Sequence, residues 1–449
     1  MGVGVDIRGG RLRPEIYERN FDDLEPPLDR KRALIEASRC YFCHDAPCIE
    51  ACPTGIDIPA FIRGIQTDNV RGAAMEILDA NIMGGTCARV CPTEILCEGA
   101  CVRQAQEHKP VQIGALQRYA TDWLFEHGSQ PFERAAPTGR KVAVVGAGPA
   151  GLACAHGLAR LGHAVTVFER RAKPGGLNEY GIAAYKLAHG FAQREVEFIL
   201  GVGGIEIRQG VGLGSGVTLL ELRRDFDAVF LGVGLGGVNA LGLPDERLEG
   251  VLDAVGYIET LRQTEDKSRL MVGKDVVVIG GGNTAIDIAV QTRRLGAENV
   301  TLVYRRGPDA MSATLHEQEV AQTNGVTIRH WARPVTLIGE AGHVTGVEFE
   351  ATQLDGQGRL MGTGDRFTLK ADQVFKAIGQ VLVPTVLQGG GLDLLEMAAG
   401  KIRVNADRQT SLEKVWAGGD AAATGQDLTV QAVEDGKVAA ASIHRWLVG

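Results

Sequence analysis

The chain has 449 residues, of which 45% are apolar and 23% charged, enough for several domains with ordinary cores and too apolar for a disordered segment. A net charge of −8 leaves no basic surplus to neutralise phosphates and argues against nonspecific nucleic-acid binding. Glycine, at 60 residues, is about twice its usual share of roughly 7% with no Gly-X-Y period, which excludes collagen and points to tight backbone turns of the kind that hold nucleotides.

Met1 to Arg13 reads MGVGVDIRGGRLR, with no apolar core and no small-residue cleavage site, so no secretory signal is expected. Asp6 stands where N-myristoylation of Gly2 would need Ser or Thr. Apolar runs such as Val142–Val145 and Val276–Ile279 are too short to span a bilayer. A soluble, cytoplasmic protein without membrane contact is expected.

Residues 14–128 read as mostly helical, with spaced apolar positions over Asp29–Ser38, Ile58–Asn69, Gly72–Asn81 and Val111–Phe125. Eight of the nine cysteines fall in this stretch. They run Cys40-x2-Cys43-x4-Cys48-x3-Cys52-Pro53, then Cys87-x3-Cys91-Pro92 and Cys97-x3-Cys101. In a reducing compartment such crowding reads as a metal framework rather than as disulfides. Soft thiolates select iron–sulfur clusters or zinc, and the Cys-Pro endings match the ferredoxin habit in which the last cysteine of a run serves another cluster. Zinc would need four ligands, usually as two Cys-x2-Cys knuckles, and one such pair is present. Cys40-Tyr41-Phe42-Cys43-His44 fits a c-type haem attachment, but that would leave the other six thiols without a role. Cys154, in the small-residue run ACAHGLARLG, reads as a buried filler.

A polar, Pro-containing linker, Gly128–Arg140, precedes an α/β region expected to be parallel. Strand VAVV leads into Gly146-Ala-Gly148-Pro149-Ala150-Gly151, a helix, and a second strand ending at Glu169. Strand DVVVIG leads into Gly280-Gly-Gly282-Asn283-Thr284-Ala, a helix, and a strand ending at Tyr304. Each copy has the strand–turn–helix context that the dinucleotide fingerprint requires. Glu169 sits where a carboxylate accepts the ribose hydroxyls of an adenosine, which marks the first copy as an FAD site. In the second copy Tyr304 is followed by Arg305 and Arg306, cations suited to a 2′-phosphate, so that site reads as NAD(P)H with a lean to NADPH. The alternative for the two arginines is a solvated strand end, which keeps NADH open. Val415–Asp420 ends in Gly418-Gly419-Asp420, where Asp420 could accept from a ribityl hydroxyl, and the helix opening at Thr429 could face the electron-rich edge of the flavin. Because Asp420 lies far beyond the second fingerprint, the nicotinamide domain is expected to be inserted into the flavin domain, with Phe226–Gly236 and Val374–Gly379 as crossing strands.

The segments CYFCHDAPCIEACP, CARVCPTEILCEGAC, GALQRYATD, GAGPAG, GGGNTAID and VWAGGD together resemble the N-terminal half of dihydropyrimidine dehydrogenase, its separate small subunit in bacterial NAD-dependent enzymes, and the small subunit of glutamate synthase. The five residues between Cys91 and Cys97 favour the pyrimidine enzyme. The resemblance implies a glutathione-reductase-like flavoprotein with two dinucleotide-binding domains and an N-terminal α-helical double [4Fe–4S] domain. The expected bounds are 1–137 for iron–sulfur, 138–265 with 372–449 for FAD, and 266–371 for NAD(P). Gly176 joins the flavin contacts in this reading. The resemblance further implies one cluster on Cys52, Cys91, Cys97 and Cys101, and another on Cys40, Cys43, Cys48 and Gln117, with Cys87 a bystander; spacing alone would have ligated Cys87. The implied reaction takes hydride from NADH or NADPH to FAD and passes electrons through the clusters to an FMN-containing partner subunit, in a heterotetramer, that reduces uracil or thymine. The chain ends at Gly449, so no pyrimidine site is expected on it, and no separate acid–base constellation is found. A glutamate synthase small subunit and a free-standing NAD(P)H:acceptor oxidoreductase stay open as alternatives. In GGLNEYGIAAYKL the family more often has Arg at the place of Lys186 and Pro near Ala183.

Overall fold

The computed structural model describes residues 6–449 apart from 129, 384, 385, 387 and 388; Gly2 lies outside the described residues. The chain forms two compact units. The larger comprises Glu25–Glu179, His189–Gly236 and Leu382–Gly449, and the smaller comprises the described residues up to Leu24, Tyr180–Ala188 and Gly237–Val381.

In the larger unit the cysteine-rich stretch is helical, as its patterning requires. Helices run over Arg30–Ala37, Ile58–Gln66, Val70–Ala80, Gly84–Val90 and Ile113–His127. Three starts are set by side-chain caps: Asp29 accepts from Arg32 N at 2.8 Å, Asp57 from Ala60 N at 2.9 Å and Asn69 from Gly72 N at 3.0 Å. The apolar faces close on Phe61, Ile62, Ile65, Ile77, Leu116 and Leu124, and Cys40, Cys48, Cys52, Cys97 and Cys101 pack at the edge of that core. The same unit holds a five-stranded parallel sheet in the order Val415–Ala417, Ala228–Leu231, Lys141–Val145, Ala164–Glu169, Ile205–Gln209. Its outermost strand comes from the far end of the chain, so this sheet is assembled from discontinuous sequence. The helices Pro149–Arg160 and Thr429–Val448 pack closely: a Cβ on Gly436 would lie 2.2 Å from Ala150 O.

The smaller unit has its own five-stranded parallel sheet, Thr327–Arg329, Asn299–Val303, Asp275–Gly280, Gln373–Ala377, Val251–Asp253. The expected crossing strand Val374–Gly379 is therefore an interior strand of this sheet. The passage itself is a short antiparallel pair, Gly237–Val238 with Gln380–Val381. Ala332–Glu340, His343–Leu354 and Leu360–Lys370 form an antiparallel three-stranded meander rather than a parallel unit, because the turns at Ala341-Gly342 and Asp355–Arg359 are too short for a helical crossover.

The units also divide the chain differently from the expected domain bounds. Ile7–Arg8 pairs with Val272–Gly273, and Tyr17 is buried with its hydroxyl 3.4 Å from Leu295 O. The first described residues thus belong to the smaller unit, through a two-stranded sheet of their own, and not to the helical domain. Tyr180–Ala188, inside the expected flavin segment, belongs to that unit too. Apolar strands and helices of that unit bury Tyr17, Ala183 and Tyr185 in one core, and local sequence pattern carries no signal for such long-range burial.

Candidate functional site

The thiols separate into two groups. Cys40, Cys43, Cys48 and Cys101 line one cavity, walled by Ile62 and Val111. The loop Cys40–Cys48 wraps this cavity through positive φ at Phe42 and Ala46, 52° and 32°, and Phe42 N donates to Cys40 Sγ at 3.4 Å. Burial pushes the Cys48 thiol up to about 12, reinforced by Cys40 and Cys101; burial likewise raises Cys40, with Cys43 and Cys101 adding to it. In the second group the Cys91 thiol is raised by its hydrogen bond to Cys87, by burial and by Cys97 and Cys52; Cys97 is raised by burial, Glu98 and Cys52. All nine cysteines are unbridged.

This grouping of the thiols differs from the ligand sets implied by resemblance. Cys101 caps the N-terminus of Val102–Glu107 and faces the cavity of Cys40, Cys43 and Cys48, not the Cys52–Cys91–Cys97 group. Gln117 is buried, and its Nε2 donates to Gly84 O at 2.7 Å, on the first turn of the helix that runs into Cys91. It therefore stands on the side of the second group. Cys87 is buried on that same helix beside Cys91.

The donor sets suit iron–sulfur clusters. Thiols crowded in apolar walls resist ionising next to one another, and a cationic iron core is what relieves that repulsion. Among the described residues no three His, Cys, Asp or Glu side chains close on a single-ion point, whereas a four-iron cluster is ligated at separate corners and takes a wider ring of sulfurs.

The two dinucleotide turns are built alike. Gly146 and Gly280 take positive φ, 96° and 154°, and a Cβ on either would lie 2.2 Å from a carbonyl oxygen, that of Gly232 or Ala377. Only glycine lets the chain leave the strand there and aim the next helix start at a phosphate. In the first turn Pro149 opens the helix after Gly148, and Gly176 lies against Gly148, with Ala150 and Gly151 in the first turn of the helix. Glu169 is buried at the strand end; its Oε2 accepts from Ala147 N and its Oε1 from Arg171 N, both at 2.8 Å. Each oxygen keeps lone-pair capacity for a ribose hydroxyl. Asp420 follows Gly419 in the same unit and has no hydrogen bond among the described residues. Burial, with Asp427 adding to it, pushes its carboxyl up to about 6. A desolvated carboxylate without a donor is a place made for a hydroxyl-bearing ligand. Thr429 opens the last helix, and its hydroxyl bonds Asn178 Oδ1 at 3.1 Å.

In the second turn Gly282 caps the helix Asn283–Arg294. Asn283 Oδ1 is buried and has no hydrogen-bond partner among the described residues, a second orphaned acceptor at a fingerprint, and Thr284 follows it. The Tyr304 ring covers Gly281, and Arg305 and Arg306 beyond it are exposed, with no hydrogen bond or ion pair to either guanidinium among the described residues. Both fingerprints therefore present the acceptors and helix starts that dinucleotides need, and the second adds two cations.

Several neighbours of these turns carried no sequence signal as site residues. Lys186 Nζ bridges Asp287 Oδ1 at 2.7 Å and Glu317 Oε1 at 2.5 Å in the smaller unit. Asp435 is fully buried and accepts from Gly419 N at 2.9 Å, Thr424 Oγ1 at 2.6 Å and Arg408 Nε at 2.9 Å, which fixes the Asp420 loop. Asp287 and Asp435 both sit one or two turns into motif helices, which is the only cue the sequence offers. Cys154 is buried in the flavin-side core, as its setting suggested.

Two family models match. Residues 17–129 match the dihydropyrimidine dehydrogenase domain II 4Fe–4S cluster family, and residues 140–436 match the pyridine nucleotide-disulphide oxidoreductase family. The NAD-dependent dihydropyrimidine dehydrogenase subunit PreT of Escherichia coli K12 is 35% identical over 436 residues, covering 96% of this chain and 98% of PreT. The small chain of glutamate synthase [NADPH] from the same organism is 35% identical over 454 residues, covering 96% and 95%. Among solved structures, Mycobacterium tuberculosis FprA in complex with NADPH superposes with a TM-score of 0.57 at 20% identity, over 68% of this chain and 84% of FprA, a likeness of fold. FAD, [4Fe–4S] iron–sulfur and NAD(P)H are thus the cofactors of this chain, which belongs to the pyridine nucleotide-disulphide oxidoreductase family, in the branch that carries the dihydropyrimidine dehydrogenase-type 4Fe–4S domain and serves as an electron-input oxidoreductase.

Proposed function

We propose that this chain is the electron-input subunit of a cytoplasmic dihydropyrimidine dehydrogenase in pyrimidine catabolism, working with an FMN-containing partner subunit that reduces uracil or thymine to the 5,6-dihydro form. The observation that carries the reading is the union, in one chain, of two thiol groups with a flavin-type and a nicotinamide-type fingerprint, matched nearly end to end by a relative named as a subunit. Bound FAD accepts a hydride and iron–sulfur centres carry single electrons onward, which lets a two-electron donor feed a one-electron path. The chain's own residues position and insulate. Gly146–Gly151 and Glu169 hold the adenosine end of FAD, with Gly176, Gly419, Asp420 and Thr429 around its remainder. Gly280, Gly282, Asn283 and Thr284 hold the pyrophosphate of the nicotinamide coenzyme, and Arg305 and Arg306 its adenosine phosphate. Cys40, Cys43, Cys48 and Cys101 take one cluster. Cys52, Cys91, Cys97 and Gln117 take the other, with Cys87 beside it.

A glutamate synthase small subunit is the second reading, favoured by the equal identity to that chain. The test is to purify the protein with its bound partner and assay NAD(P)H oxidation with uracil and, separately, with glutamine plus 2-oxoglutarate. Uracil-dependent turnover supports the proposal and turnover with glutamine replaces it. The chain alone should be yellow-brown and reduce an artificial dye with NADH or NADPH; failure of a flavin-replete sample to do so would defeat both readings.

A further inference from the structure

Two lines of contact run from the flavin-side helix Thr429–Val448 to the thiol-bearing helices, all within the larger unit. The first starts at Thr429, whose Oγ1 bonds Asn178 Oδ1 at 3.1 Å. Asn178 Nδ2 reaches Met83 Sδ at 3.6 Å. Met83 leads directly into Gly84, whose carbonyl takes the Nε2 of Gln117 at 2.7 Å. The approach to Gly84 is itself braced, since Asn81 Oδ1 accepts from Met83 N at 3.0 Å and Asn81 O from Gly84 N at 2.9 Å. The second line starts eight residues further along the same helix, about 12 Å away. There Lys437 Nζ donates to Thr54 O at 2.8 Å and Ala80 O at 3.1 Å, and Thr54 Oγ1 lies 3.3 Å from Cys52 Sγ.

Stability alone does not account for the first line. Asn178 and Met83 are 2% and 1% exposed. A thioether is a weak acceptor, so a buried amide facing it recovers little of its desolvation, and two apolar side chains would pack there with less loss. What the arrangement does achieve is register. The two lines end on Gln117 and on Cys52, two members of the same proposed ligand set, and begin on one helix, Thr429–Val448, whose first residue the proposed function sets against the flavin.

We infer that Asn178 and Lys437 are positioning residues that key the Cys52–Gln117 side of the second cluster to the flavin pocket. The inference rests on the ligand set given under the proposed function. Asn178 acts through Met83 and Gly84 on the amide of Gln117, and Lys437 acts through Thr54 on Cys52. Among the described residues neither side chain is hydrogen-bonded or ion-paired to the Cys40, Cys43, Cys48 and Cys101 group.

The test uses the full-length protein with its native cofactors and three variants, Asn178→Leu, Met83→Leu and Lys437→Met. Flavin, iron and sulfide are measured first, then the electron paramagnetic resonance signals of the chemically reduced protein, and then the rate at which photoreduced flavin loses electrons to the clusters. Asn178→Leu with full cofactors should alter one cluster signal, leave the signal lost in Cys101→Ser untouched, and slow transfer about tenfold or more. Met83→Leu, which removes only the sulfur acceptor, should change the same signal to a smaller extent. Lys437→Met, which withdraws from the Thr54 carbonyl a cation also paired with Glu434 at 2.7 Å, should lower that cluster's midpoint potential. Unchanged signals, potential and rate in cofactor-replete variants would overturn the inference. If Asn178→Leu loses its cofactors, Met83→Leu and Lys437→Met decide. A wild-type protein lacking flavin or sulfide would instead overturn the proposed function.

Discussion

The ammonium of Lys186 lies 2.7 Å from Asp287 and 2.5 Å from Glu317, with all three side chains at most 15% exposed. One cation thus serves two carboxylates in the nucleotide unit. Burial raises the Asp287 carboxyl, with Lys186 opposing, while burial of Lys186 itself is outweighed by Asp287, which holds the ammonium charged. Breaking such a group by removing one partner leaves an uncompensated buried charge. Lys186→Met is expected to destabilise the protein by about 3–5 kcal/mol, read as an earlier unfolding transition, whereas Lys186→Arg should keep most of the stability. Equal stability of Lys186→Met and the parent would show that the triad contributes nothing.

Asp420 supplies a pH-dependent prediction. Its carboxyl is pushed up to about 6 in the folded chain, above its value of about 3.9 when unfolded. The folded state therefore holds the proton more tightly. Stability is lost as pH rises from about 4 through about 6, and the full loss persists above that range. In flavin-stripped protein, Asp420→Asn should raise stability by about 1–3 kcal/mol at pH 8 and change nothing near pH 4. The same variant should bind FAD more weakly. Thermal unfolding at the two pH values, with a flavin titration, checks both outcomes.

Arg305 and Arg306 lie exposed just beyond strand Asn299–Val303, and neither guanidinium has a hydrogen bond or ion pair among the described residues. Replacing both with Ala should raise the KM for NADPH by about tenfold to a hundredfold, the loss of one or two charge-assisted bonds to a phosphate. The KM for NADH should stay put. If the two coenzymes respond alike, the arginines form a solvated strand end and the preference for NADPH is withdrawn.

The regrouping of thiols is checked by counting iron. Cys101→Ser and Cys40→Ser should each abolish the same cluster signal and about half of the iron and sulfide, since both line one cavity. Cys91→Ser should abolish the other signal. Cys87→Ser should leave both signals in place. Loss of the Cys91 signal in Cys101→Ser would restore the grouping that resemblance alone implied.

The features legible in the sequence are those encoded within about thirty consecutive residues. Gly146 and Gly280 announce strand–turn–helix units because the backbone there must turn with positive φ. Glu169, Arg305 and Arg306 follow at the distance one helix imposes, and Asp420 beyond the second fingerprint discloses that the flavin sheet is discontinuous. Eight crowded thiols state that soft metal chemistry is present. Tertiary packing alone decided which thiols gather together, because Cys101 packs at the edge of the helical core and Gln117 is carried there on the buried face of Ile113–His127, and no spacing rule orders residues across such a core. It also placed residues 6–24 and 180–188 in the nucleotide unit, through one strand pairing and the burial of Tyr17 and Tyr185. Local turn chemistry is read along the chain, whereas the grouping of side chains far apart in sequence is set by which surfaces can be removed from water together.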